Sequence, residues 1–95
     1  MSMKEAYEKR LEAELDEWSA EIDRLKAKAD QTEAETRLKY YEEIEEFREL
    51  QQSTRDKLDE MRAAGDDAWE DLKAGVDSAK DSMTNALRSA ASRFK

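Results

Sequence analysis

The residues best equipped for chemistry are five glutamates, Glu42, Glu43, Glu45, Glu46 and Glu49. Clustered carboxylates hold di-metal centres in helical bundles, where Glu-x-x-His motifs complete the ligand set. This sequence has no histidine and no cysteine. The commonest acid–base group and metal ligand is therefore missing, together with every thiol. At helical spacing the five glutamates spread around the helix, which reads as a solvated face. A carboxylate pair acting as acid and base also needs a sheltered cleft to separate the two pKa values. Glycine-rich phosphate loops and nucleophile elbows are absent. The expectation is a protein with no catalytic residues, no cofactor and no metal.

Trp18, Tyr40, Tyr41, Phe47 and Trp69 could stack on a ligand. Their positions favour helix packing instead. Trp18, Tyr40 and Phe47 share one apolar stripe, Trp69 lies on a second, and Tyr7 and Tyr41 sit one position off the first, where they can cover its edge.

The composition must position these groups on helices. Charged residues make up 44% of the 95 residues, proline is absent and glycine occurs twice. Ala, Glu, Lys, Leu and Arg together exceed half the chain, the composition of a coiled coil or long helix. Leu11, Leu15, Trp18, Ile22, Leu25, Ala29, Thr32 and Thr36 alternate spacings of four and three, a heptad seam. After one extra four-residue step to Tyr40 the stripe resumes at Ile44, Phe47, Gln51, Thr54, Leu58 and Met61. That step is a stutter, which relaxes a left-handed supercoil. The pattern predicts one long coiled-coil helix over about 3–64, opened by Ser2 and Glu5 at capping-box spacing. Its length would be about 90 Å, at 1.5 Å per residue. Such a rod cannot cover its own stripe. The seam Leu11, Leu15, Trp18, Ile22, Leu25, Ile44, Phe47, Leu58 and Met61 is therefore expected to bind a second copy in a homo-oligomer, or another helical protein.

Gly65 marks a candidate break, and Asp67 with Glu70 repeats the capping-box spacing. An unbroken helix competes, since an internal glycine costs only about 1 kcal/mol. From about 67 to 94 a second amphipathic helix places Trp69, Leu72, Val76, Met83, Leu87 and Phe94 on one face. Leu72, Met83 and Phe94 are eleven apart, the spacing of a nearly straight stripe. The chain thus divides into an acidic segment, 1–64, and an amphipathic, Ser-rich segment, 65–95, basic from residue 73 on, within one all-α unit.

Charge divides likewise. Residues 1–72 hold 12 basic and 23 acidic residues, a balance of −11; residues 73–95 hold 5 and 2, a balance of +3. The acidic part would be repelled by nucleic acid. Lys73, Lys80, Arg88, Arg93 and Lys95 could instead hold residues 73–95 on a membrane or a lipid or polymer granule, as an alternative to packing on a protein helix. The charged amino terminus resembles no signal peptide, and no apolar run approaches the ~20 residues that span a bilayer. A cytoplasmic protein is expected.

The segments EAYEKRLEAELDEW, IDRLKAKAD, DDAWEDLKAGVDSAKDSM and SAASRF resemble the small coiled-coil stress-response proteins of bacteria, of cyanobacterial and proteobacterial type. Asp67–Lys73 carries the most distinctive part. The resemblance implies a bacterial cytosolic protein tied to stress, and it supplies no catalytic residues. The second helix is also similar to the amphipathic helices of phasins and apolipoproteins.

Overall fold

Ser2 opens the first helix: its hydroxyl accepts the Glu5 N–H at 3.1 Å, which satisfies one of the orphan donors of the first turn. The computed structural model describes residues 2–94. Three helices follow in order, α1 (Met3–Asp30), α2 (Ala34–Ala63) and α3 (Trp69–Arg93), with no strand among the described residues. They run up, down and up in a bundle of 50 × 19 × 18 Å.

The single helix expected over 3–64 is in fact a hairpin, broken at residues 31–33 rather than merely stuttering at 36–40. Neither glycine nor proline makes this turn. The Thr32 hydroxyl donates to the Ala29 carbonyl at 2.8 Å, and the Gln31 and Thr32 N–H groups close the last turn of α1 onto Lys28 and Ala29. Thr32 thus supplies the local alternative to helix that hydroxyl residues offer. The driving force is burial. A 90 Å rod would leave its stripe in water, whereas folding it in half buries each large apolar side chain for about 1.5–3 kcal/mol.

The second break lies where Gly65 suggested, with α2 ending at Ala63 and an extended Ala64 as its cap. Its mechanism differs from a glycine cap, since no glycine among the described residues has a positive φ. Lys4 of α1 closes the end of α2, donating from Nζ to the carbonyls of Ala64 at 2.9 Å and Arg62 at 3.3 Å. The capping box expected from Asp67 and Glu70 does not form. The cap of α3 is Ala68, with no side-chain bond. Residues 66–68 make a turn instead, and the Ala68 and Trp69 N–H groups both reach the Gly65 carbonyl.

The two stripes close on each other. Leu11, Leu15, Trp18, Ile22, Leu25 and Ala29 of α1 meet Ile44, Phe47, Leu58 and Met61 of α2 and Trp69, Val76, Met83, Leu87 and Ala90 of α3 in one core, which Phe94 completes. Leu72 packs at its edge.

Candidate interaction surface

Every residue assigned to the self-association seam lies inside one chain, buried by the chain's own α2 and α3. The second amphipathic face is likewise turned inward, with Leu72 only partly covered. What the bundle offers outward is its charged helix faces.

The Glu42–Glu49 cluster shows how these faces are organised. Glu42, Glu45, Glu46 and Glu49 are exposed, while Glu43 pairs with Arg93 at 2.6 Å. Among the described residues no group of three or more carboxylates is placed to hold a metal ion.

The cations of the last segment, read from sequence as a surface-binding set, mostly face the acidic helices of their own chain. Lys80 pairs with Glu14 at 3.1 Å and Arg93 with Glu43. Lys73 and Lys80 each stand 5.6 Å from the centre of the Tyr7 ring, the geometry of a cation–π contact. Arg88 lines an open groove between α1 and α3 with Trp18, Glu21, Thr84, Leu87 and Ala91, about 230 Å³ in volume. Lys95 lies outside the described residues. The cations of α3 therefore serve packing: Lys80 and Arg93 dock on Glu14 of α1 and Glu43 of α2.

Tyr7 sits at the centre of this contact. Its hydroxyl donates to Asp77 at 2.6 Å, and its ring lies 6.0 Å from Trp69. Burial, reinforced by the bond to Asp77, pushes the phenol well above its ordinary value. At the hairpin end Tyr41 donates to Asp30; this bond raises the Tyr41 phenol and holds the Asp30 carboxyl low. Off-stripe tyrosines at helical spacing were the sequence signal for these two edges; their acidic partners were not legible.

Among the described residues three large apolar side chains remain outside: Met3, 78% exposed, Leu38, 64%, and Leu50, 40%. Leu38 rises from α2 with Glu35 and Glu42 one turn to either side. No helix is long and apolar enough to cross a membrane among the described residues. Comparison with protein-family models, curated proteins and solved structures returned no match.

Proposed function

We propose that this chain is a non-catalytic helical interaction protein of the bacterial cytoplasm, used in the response to stress, which presents its acidic α1 and α2 faces to a partner with a basic surface. The observation that carries this reading is that both apolar stripes are spent on one internal core, so the surface left for recognition is mainly charged helix face with isolated apolar residues such as Leu38. A net charge of −8 favours cationic partners through steering and complementarity. Leu38, framed by glutamates, provides an apolar anchor within that face. The stress role rests on the resemblance of the sequence alone.

The test is site-specific photo-crosslinking in bacterial cells from Glu45, two turns from Leu38 on α2, before and after oxidative or osmotic shock. A discrete heterologous adduct that Leu38→Glu abolishes, with the melting temperature unchanged, is the expected result. Cells that yield no adduct under any stress would overturn the reading.

A further inference from the structure

The apolar stripe of α1 and α2 has a mirror symmetry along the sequence that serves a hairpin within one chain and an antiparallel pair of chains equally well. Leu11 and Leu58, Ile22 and Phe47, and Leu25 and Ile44 are each equidistant from the midpoint between Ala34 and Glu35. The structure has the matching register, for Gln51 reaches the Leu15 carbonyl and Ser19, which flank its mirror position. Two antiparallel copies related by a dyad through that midpoint would rebuild the same layers between chains.

What opening must give up at the connection is small: the Thr32 hydroxyl bond to Ala29 and the Arg37 bond to the Thr32 carbonyl. Residues 31–33 contain no glycine or proline, and no described residue has a positive φ. Gln31 already has nearly helical angles, φ −95° and ψ 0°. Glu33, the cap of α2, is extended and makes no side-chain capping bond. The heptad stripe also runs through the turn, with one four-residue step between Thr36 and Tyr40.

We propose that the α1–α2 hairpin opens at 31–33 and that two copies of the chain exchange α1, giving an antiparallel dimer whose residues 3–63 form one helix. Such exchange is a low-cost route to dimers, because the core contacts are the same and only the hinge changes. Each α3 stays on its own α2 through the Tyr40–Phe94 stack and the Arg93–Glu43 pair. The Tyr7–Asp77 and Glu14–Lys80 contacts become contacts between chains. The product is a rod about 90 Å long that displays the acidic faces twice. This gives the interaction protein proposed above a bivalent form, assembled from two copies of the chain.

The absence of native cysteine allows a direct test. Exposed Arg10 and Asp59 are both replaced by cysteine, labelled as donor and acceptor, and equilibrated with excess unlabelled chain. In the hairpin the labels share one end of the bundle, where Glu12 and Arg62 pair at 2.6 Å. In the exchanged dimer the same-chain labels are about 75 Å apart along one helix. Doubling of mass with rising concentration, accompanied by loss of energy transfer, is the expected result. Ala34→Pro is the second arm. Position 34 is the first of α2, where proline fits, after a residue already at ψ 153°. In a continuous helix the same proline is interior, and it should weaken the dimer on the order of a hundredfold per chain. A chain that stays monomeric to millimolar concentration, or a dimer that keeps full energy transfer, would overturn the exchange. Neither outcome touches the heterologous adduct from Glu45, so the two readings fail separately.

Discussion

The side-chain amide of Gln51 donates to the backbone carbonyl of Leu15 at 2.9 Å, inside the seam between α1 and α2. Its second contact is Ser19 Oγ at 2.5 Å. A satisfied polar group that reaches across a heptad seam fixes register at some cost in stability. Gln51→Leu should therefore leave stability within about 1 kcal/mol of wild type. Gln51→Glu places a carboxylate against a carbonyl oxygen and should cost about 2–3 kcal/mol near neutral pH. Its buried acid would have a raised pKa, so acidification should restore stability. Urea denaturation at pH 7 and pH 5 checks both.

Tyr40 lies nearly flat on Phe94, with ring centres 3.8 Å apart, and donates to the Arg93 carbonyl at 3.1 Å. Together with the Arg93–Glu43 pair this latches the end of α3 to the start of α2. Phe94→Ala removes a buried ring and should cost about 3 kcal/mol. Hydrogen exchange should then show the last turns of α3 opening before the rest of the bundle.

Tyr7 gives the bundle an alkaline limit. The folded state holds its phenol above the ordinary value of 10.0, through burial first and the Asp77 bond second, so folding favours the neutral form. That contribution is complete below about pH 10 and is lost as pH rises further, since the unfolded chain ionises first. Tyr7→Phe should cost about 1–2 kcal/mol at pH 7 and flatten the alkaline loss. A urea series from pH 7 to 11 reads both effects.

The apolar face of α3 is buried and its Lys80 and Arg93 are paired within the chain. The closed bundle should not float with anionic liposomes, at low salt or high. Met83→Asp, at a fully buried site, should instead destabilise the protein by at least about 3 kcal/mol, which thermal melting measures. Salt-sensitive flotation that depends on residues 73–95 would mean that α3 leaves the bundle to bind lipid.

A Cβ built on Gly65 meets nothing within 4 Å, and its φ is not positive. Gly65→Ala should be neutral or stabilise by up to about 1 kcal/mol, chiefly by restricting the unfolded chain. Equilibrium denaturation decides it, and a loss above 1 kcal/mol would show that the turn needs glycine after all.

Much of this architecture was legible in the residues themselves. Helix was dictated by composition, the Ser2 cap by its spacing to Glu5, and both buried faces by the periods of Leu11–Met61 and Trp69–Phe94. The break near Gly65 was legible too, although its cap at Ala68 was not. The sequence could not distinguish a rod from a hairpin. Both require the same symmetric stripe, and Gln31, Thr32 and Glu33 include no residue that forbids helix. Nor could it say what the basic tail was for, because Lys80 and Arg93 would read the same beside a phosphate headgroup as beside Glu14 and Glu43. Those two questions turn on long-range burial and on pairing between residues some 50 or more positions apart, which local spacing does not encode and only the packed bundle decides.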